Sequence, residues 1–264
     1  METDGIIVTA RTTSSRLPNK VLQKLSRDDF RSHYSVITWN LLRSCFLETI
    51  PVYLSTSINK EDDKLIYNVN TLNSNLYSKN IKVYRGSLEN KLERWIGTAK
   101  TYNIQNMVMY DGDDLFCGIE FFKYALDLLK LTKVDCIFAP KDMVIGGFTY
   151  AFTLDALEKM KEVSTSDKTE MIEPLITKAK LNCFVLPCLP IYLRTDMRFT
   201  LDYEEDLQFF RQVIDSKDFP VSYTTPLYKI IKLLDGKKGL TNINLFRNND
   251  WKNNQEILIK KEGN

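Results

Sequence analysis

The chain has 264 residues, 44% of them hydrophobic and 27% charged, a globular composition long enough to bury a large core without disulfide or metal staples. Its 36 basic and 34 acidic side chains leave a formal charge of +2, which excludes a nonspecific nucleic-acid binder and leaves any anion binding to local patches. The apolar runs are far too short to cross a membrane, so neither nucleic acid nor membrane is an expected partner.

The first run, "GIIVTA", predicts a buried strand and is too short for a signal-peptide core. After it, "YSVITWNLLRSCFLETI" has helical apolar spacing, "PVYLSTS" reads as a strand, "EDDKLIYNVNTL" as a helix, and "IKVYRG" as a strand. "NKLERWIGTAKTY" is a helix, "NMVMYDGD" a strand, "IEFFKYALDLLKL" a helix and "VDCIFAP" a strand. This alternation predicts an α/β fold, a three-layer sandwich with a mostly parallel central sheet. Beyond about residue 140 the rhythm changes. "GGFTYAF" and "NCFVLPCLPIYLRTDMRFTLD" read as strands around the helices "LDALEKM" and "TEMIEPLITKAK", and suggest a small β-containing arm. "YEEDLQFFRQVI" and "TPLYKIIKLL" close the fold, and the polar tail "NNDWKNNQEILIKKEGN" is expected to fray or pack loosely. No linker divides the chain, so residues 1–264 are read as a single domain.

The five cysteines are scattered and odd in number, with no metal-ligand spacing, and suggest reduced thiols in the cytoplasm. His33 is the only histidine and sits in the polar stretch "RDDFRSHYS", where a surface position is expected. Histidine-rich metal sites and paired-histidine chemistry are thereby excluded. Neither a P-loop nor a dinucleotide fingerprint is present. Carboxylates, cations and backbone amides are left to carry any chemistry.

Three stretches concentrate such groups. In a parallel sheet, ligands sit beyond the carboxyl ends of the strands, which places the loop "ARTTSSRLPNK" at the ligand rim. Its Arg11, Arg16 and Lys20, among four Ser and Thr hydroxyls, suit a triphosphate better than a monophosphate, although a solvated basic loop has the same composition. In "MVMYDGDD", Asp111, Asp113 and Asp114 follow an apolar strand. Clustered carboxylates there suit Mg²⁺ or Mn²⁺, although an acidic turn is common after a strand. In "LRTDMRFTLDYEEDL", strand alternation puts Met197, Phe199 and Leu201 on one face and Arg198, Thr200 and Asp202 on the other. The following acids, Glu204, Glu205 and Asp206, suit a helix start.

Taken together these stretches resemble the sugar cytidylyltransferases, of the spore-coat-polysaccharide type and related to the CMP-Kdo and acylneuraminate synthetases. "ARTTSSRLPNKVL" is similar to their ARxxSxRLPxKxL loop and "YLSTSINKEDDKL" to their second strand. "VYRGSLENKLERW" matches RGSxxxxLxRY, "GDD" the metal-aspartate turn, and "LRTDMRFTLDYEEDL" the RxTxDxxxDL signature, in the same order from Ala10 to Leu207. The resemblance implies that Ala10, Arg11, Ser14, Arg16 and Lys20 hold CTP and that Asp113 and Asp202 hold Mg²⁺. It places Ser55 and Thr56 near the nucleoside, with Arg85 and Ser87 more loosely in the same pocket. Arg11, Arg16, Lys20, Asp113 and Asp202 would be the catalytic set.

The implied reaction transfers CMP to a sugar or sugar-acid acceptor for surface polysaccharide or glycan synthesis. The family also implies a homodimer joined through roughly residues 140–193, which would be the acceptor side as well. This chain departs from the pattern at Thr13 and Asn19, where the family has glycine. It departs again in "GGFTYAFTLDAL", where Tyr150 replaces an acid, and in "TEMIEP", where Thr169 and Met171 replace Arg and His. A metal-dependent glycosyltransferase of related fold, for which "DGD" is also apt, and a phosphonate or phosphorylated alcohol as acceptor are the alternatives. Asp113 and Asp202 are expected to end strands at one rim and, as rim carboxylates, to add little to stability.

Overall fold

A computed structural model describes residues 3–26, 34–46, 49–74, 80–218 and 220–262; His33 lies outside the described residues. Seven strands form one sheet: β1 (Asp4–Thr9), β2 (Val52–Ser57), β3 (Lys82–Gly86), β4 (Asn106–Asp111), β5 (Cys136–Phe138), β6 (Tyr150–Thr153) and β7 (Cys183–Val185). Their order is β3-β2-β1-β4-β6-β5-β7. Only β6 runs against its neighbours, so the sheet is mostly parallel. The residues expected to form a separate arm therefore supply strands of the same sheet.

Period-two alternation along the central strands divides the core into two layers. Ile6 and Val8 of β1 and Val108 and Tyr110 of β4 face helices α1 (Val36–Cys45) and α4 (Glu120–Thr132). Ile7, Met107 and Met109 point the opposite way, towards Trp95 of α3 (Lys91–Tyr102) and Leu157 of α5 (Leu154–Val163). Strands buried on both faces need apolar side chains at consecutive positions, which is the reason "GIIV" and "MVMY" read as continuous runs. The helix ends follow local chemistry. Ser35 accepts from Thr38 N at the start of α1, Asn90 accepts from Glu93 N at the start of α3, and Asn103 ends α3 in the left-handed region.

Two expectations need correction. Of "NCFVLPCLPIYLRTDMRFTLD", only Cys183–Val185 is a strand. The prolines at 187 and 190 interrupt the ladder, and Arg198 makes a single parallel bridge with Ile145. The in-out alternation of residues 197–202 nevertheless holds, because Met197, Phe199 and Leu201 are buried in the apolar core while Arg198 and Asp202 are buried among polar partners. The tail is also helical: after α6 (Glu173–Lys178), α7 (Glu204–Ile214) and α8 (Leu227–Leu234) come α9 (Lys238–Leu245) and α10 (Arg247–Glu262). Helix α10 is held by polar anchors where an apolar stripe is lacking. Arg247 pairs with Glu205 at 2.8 Å, and Asn254 donates to the Tyr203 hydroxyl at 3.1 Å.

The extended 197–202 segment depends on Gly146. This residue has φ +81°, and a Cβ there would lie 2.6 Å from the carbonyl of Phe199. Neighbouring Ile145 accepts the Phe199 N–H at 2.8 Å. Gly146→Ala combines left-handed strain with a backbone clash. It should cost about 2–3 kcal/mol and lower the melting temperature by roughly 5–10 °C. Differential scanning calorimetry checks this, and an unchanged melting temperature would contradict the packing described.

Candidate active site

The chain leaves β1 for β2 and β3 on one side, then crosses back to β4 on the other. The carboxyl ends of β1 and β4 thus flank the point where the winding reverses, where open α/β sheets form a crevice. The loop after β1 is pinned at its start by Asp62, whose Oδ1 accepts from both the Thr12 N–H and the Thr12 hydroxyl at 2.7 Å. Arg11 donates from Nη1 to the Leu88 carbonyl at 3.0 Å. Asn19 has φ 53°, in the left-handed region, and opens a single 3-10 turn that carries Lys20. Asparagine is among the few residues other than glycine that tolerate this backbone.

Strand β4 delivers the acids. Gly112 donates to the Thr9 carbonyl at 2.8 Å, and a Cβ at 112 would lie 2.7 Å from that oxygen. The glycine of "DGD" therefore lets the end of β4 fold tightly over β1. The next residue meets the 197–202 segment, where Leu201 N donates to the Asp113 carbonyl at 2.9 Å. That single backbone bond sets Asp202 beside Asp113 across 89 residues of sequence. Both carboxylates bond the same atom, Lys20 Nζ, with Asp202 Oδ1 at 3.0 Å. Asp202 Oδ1 also accepts from Arg16 Nη2 at 2.5 Å, and its Oδ2 from Arg198 Nη2 at 3.0 Å.

The charges tune one another. Burial alone would lift the Asp202 pKa, but Lys20, then Arg16 and Arg198, hold it below the ordinary carboxylate value. Asp113 has fewer cations. Its burial, against the pull of Lys20, and the nearby Asp202 and Asp111 leave it raised. Burial would lower the Lys20 pKa, but Asp113 and Asp202 reverse this and keep the ammonium charged. Among the described residues no cluster of three or more His, Cys, Asp and Glu side chains forms a ready-made metal cage. Two converging carboxylates are still an adequate protein contribution for Mg²⁺, which usually takes one or two carboxylates and completes its shell with phosphate oxygens and water.

Arg11, Ser14, Arg16, Lys20 and Asp113 line one cleft with Ala10. A second cleft adjoins it and shares Arg16, Lys20, Lys91, Asp111, Asp113 and Glu170. The far wall of the second cleft includes Phe148, Tyr150, Met171 and Glu173. There the Tyr150 hydroxyl donates to Glu173, and burial, with that carboxylate, keeps the phenol protonated.

No family profile matches the chain. An uncharacterized protein of Methanocaldococcus jannaschii is 31% identical over 242 residues, which is 90% of this chain and 93% of that protein. The chain belongs to the same family as that archaeal protein. Among solved structures it is similar to a cytidylyltransferase from Leptospira borgpetersenii, with a TM-score of 0.76, 21% identity, and coverage of 91% of this chain and 97% of that one. It is also similar to a CMP:2-keto-3-deoxy-manno-octonic acid synthetase complexed with CTP, with a TM-score of 0.59, 12% identity and coverage of 81% and 98%. A third is the 4-diphosphocytidyl-2C-methyl-D-erythritol synthase of Anaerococcus prevotii, with a TM-score of 0.56, 15% identity and coverage of 81% and 97%. These likenesses establish the Rossmann-like nucleotidyltransferase fold.

Against that fold, four residues read from the sequence as nucleotide-binding stand outside the two clefts just described. Ser55 is fully buried and accepts from Thr98 of α3 at 3.0 Å, and Thr56 is equally buried. Arg85 ties down the loop after β2 through the Ser57 and Asn59 carbonyls and Asp63. Ser87 accepts from the Asn90 N–H at 3.1 Å. All four occur in polar-looking strand ends, and only tertiary contacts separate a polar residue that faces a ligand from one that faces a helix or loop. Conversely, Lys91 and Arg94 line the first cleft without having been singled out. Lys91 Nζ pairs with Asp111 at 2.6 Å. Arg94 is 3% exposed, donates from Nη1 to the Ser87 and Leu88 carbonyls, and has no partner at Nε. Burial, with Arg11 beside it, pushes its pKa down to about 10. The sequence signal was the helix start "NKLERW", with Lys91 and Arg94 one turn apart.

Asp202 is 3% exposed and held by three cations, so the expectation that it adds little to stability does not hold. Arg198 supplies the deepest support. Its guanidinium bonds Asp206 at 2.8 and 3.2 Å as well as Asp202, while Asp206 Oδ2 accepts the Asp202 N–H at 2.8 Å. Arg198→Met leaves two buried carboxylates short of their cation and should cost roughly 3–5 kcal/mol in urea denaturation. A loss under 1 kcal/mol would show that the network is not structural.

Proposed function

We propose that the chain is a Mg²⁺-dependent cytidylyltransferase that transfers CMP from CTP to a hydroxyl or acid oxygen of a sugar or sugar acid, releasing pyrophosphate, for surface polysaccharide or glycan synthesis. The observation that carries this reading is the convergence of Arg16 and Lys20 with Asp113 and Asp202 at the sheet's switch point, where two adjoining clefts meet and Arg11 lines the first. Cytidylyl transfer by proteins of the same fold supports it. The acceptor oxygen forms a bond to the α-phosphorus, the bond from that phosphorus to the bridging oxygen of the β-phosphate breaks, and the acceptor proton is lost to the medium. Such a transfer needs alignment and charge neutralisation more than a nucleophile of the protein's own.

Arg11, Arg16 and Lys20 would hold the phosphates and balance charge that develops on the departing pyrophosphate. Ser14 and the loop amides add neutral donors. Asp113 and Asp202 would hold Mg²⁺, which when bound supplies further neutralisation of phosphate charge. The second cleft, continuous with the first through shared residues, is the place for the acceptor. The whole chain would act as one catalytic domain. Among the described residues no helix is long and apolar enough to cross a membrane. Cys117, Cys136, Cys183 and Cys188 are free thiols, in keeping with a cytoplasmic setting.

With Mg²⁺, CTP should raise the melting temperature more than ATP, GTP or UTP. At one hundred times its dissociation constant a ligand adds about 2.7 kcal/mol, or roughly 5–10 °C here. Equal shifts for the four nucleotides would remove the cytidylyl assignment, and a larger shift with UDP-sugars would favour the glycosyltransferase. In a pyrophosphate-release assay Asp113→Ala and Asp202→Asn should both be inactive, and Asp202→Asn should also melt lower.

A homodimer formed through residues 140–193 belongs to the same proposal. The interior strand β6 is not the surface concerned, because it pairs on both sides. The surface is edge strand β7 and the loop after it, where Phe184, Val185, Leu189 and Leu193 are 41%, 47%, 68% and 41% exposed. An apolar edge of this kind invites pairing. Light scattering at micromolar concentration should give twice the chain mass, and a monomer would overturn the assignment.

A further inference from the structure

The two carboxylates at the centre of the site already share a cation, and it belongs to the chain itself. Lys20 Nζ donates to Asp113 Oδ2 and, over 3.0 Å, to Asp202 Oδ1. Asp202 also accepts from Arg16 at Oδ1 and from Arg198 at Oδ2. The contact is deep, with the Lys20 side chain 14% and the Asp202 side chain 4% exposed. A divalent ion bridging Asp113 and Asp202 needs one oxygen from each at about 2.1 Å. The oxygens that converge are the ones the ammonium now holds. Ion and ammonium therefore compete for one position.

We propose that Lys20 is a resident counter-ion of the Asp113–Asp202 site, so that the free protein binds divalent cations poorly and accepts one there only when a phosphate ligand draws the lysine away. The inference rests on the assignment of Asp113 and Asp202 as metal-binding residues and adds the order in which their site fills. Two carboxylates facing one cavity, Asp202 buried and Asp113 partly so, repel unless a cation lies between them. A tethered lysine is present at high effective concentration and needs no partner from solution. Mg²⁺ sheds its water reluctantly, so the ammonium holds the site against free Mg²⁺.

A triphosphate changes the balance. It offers Lys20 and Arg16 a denser negative charge, and both line the cleft that would receive it. The four-carbon stem of lysine lets its ammonium swing between carboxylate and phosphate. The oxygens it vacates then face a metal ion that arrives with the nucleotide. Metal and nucleotide must strengthen each other's binding to the same extent, because the coupling is reciprocal.

The test is a Mn²⁺ titration without nucleotide, with free Mn²⁺ read by electron paramagnetic resonance, on the full-length wild type, Lys20→Met, Lys20→Gln and the double variant Lys20→Met/Asp113→Asn. Circular dichroism and melting curves establish which variants are folded, and Lys20→Gln retains a polar group should the methionine variant unfold. Either Lys20 variant should bind one Mn²⁺ about tenfold or more tighter than wild type, and the added Asp113→Asn should abolish that gain. Wild-type binding as tight as that of the variants would overturn the proposal, as would a folded Lys20 variant that binds no Mn²⁺. No arm of the experiment contains a nucleotide. A chain that showed no preference for CTP would lose the cytidylyl assignment while this result stood, and the reverse holds equally.

Discussion

The site depends on keeping one carboxylate charged inside the protein. Asp202 is 3% exposed, and an isolated carboxylate at that depth would be driven towards protonation. Three cations from two places prevent this: Arg16 and Lys20 from the loop after β1, and Arg198 from the segment that carries Asp202. The second acid, Asp206, then secures Arg198 and accepts the Asp202 N–H, while Asn244 of α9 donates to Asp206 at 2.9 Å. Asp206, the first-turn acid of α7, thus does more than complement a helix dipole. It is the inner end of an ionic chain that runs outward through Arg198 and Asp202 to Lys20 and Asp113.

That chain fixes what the rest of the architecture has to provide. The β1 loop must be stiff enough to aim Arg16 and Lys20, and it is held at one end by Asp62 against Thr12 and at the other by the left-handed turn at Asn19. The end of β4 must approach β1 closely, which Gly112 permits. The 197–202 segment must run extended beside both without becoming a strand, which the Ile145 bridge and the left-handed Gly146 provide. The two core layers anchor these pieces from below. Phe199 and Leu201, alternating with Arg198 and Asp202, are buried in the apolar layer with Phe116 and Phe210.

The two clefts differ in how much of their character is built from charge. The first gathers cations around a few acids. The second carries the Tyr150–Glu173 pair; Tyr150, Thr169 and Met171 are positions where the chain departs from the cytidylyltransferase pattern it resembles. Met171 lines the second cleft, while Thr169 is buried, lines the first, and bonds through its backbone to Glu89 and Lys91. Tyr150 and Met171 thus lie on the second cleft, whereas Arg11 and Ser14 line the first.

The sequence by itself determined the strand and helix order through β6, because hydrophobic periodicity is a local property: "GIIV" and "MVMY" are two-faced strands wherever they are placed. It also drew attention to Arg11, Arg16, Lys20, Asp113 and Asp202 as charged groups near strand ends, and the fold joins Arg16, Lys20, Asp113 and Asp202 by direct ion pairs. Tertiary structure alone decided which polar residues line a cleft. Ser55 and Thr98 satisfy each other, and Arg85 is spent on two carbonyls and an acid, while Arg94 lines the cleft with Nε unpartnered. Hydrogen-bond partners that are distant in sequence cannot be counted from composition or spacing. The same limit hid the role of the tail, whose helix is held by Arg247 on Glu205 and Asn254 on Tyr203 rather than by an apolar stripe. It also hid the pairing of Lys20 with both aspartates, since one backbone bond between Leu201 and Asp113 brings the two acids within reach of a single ammonium.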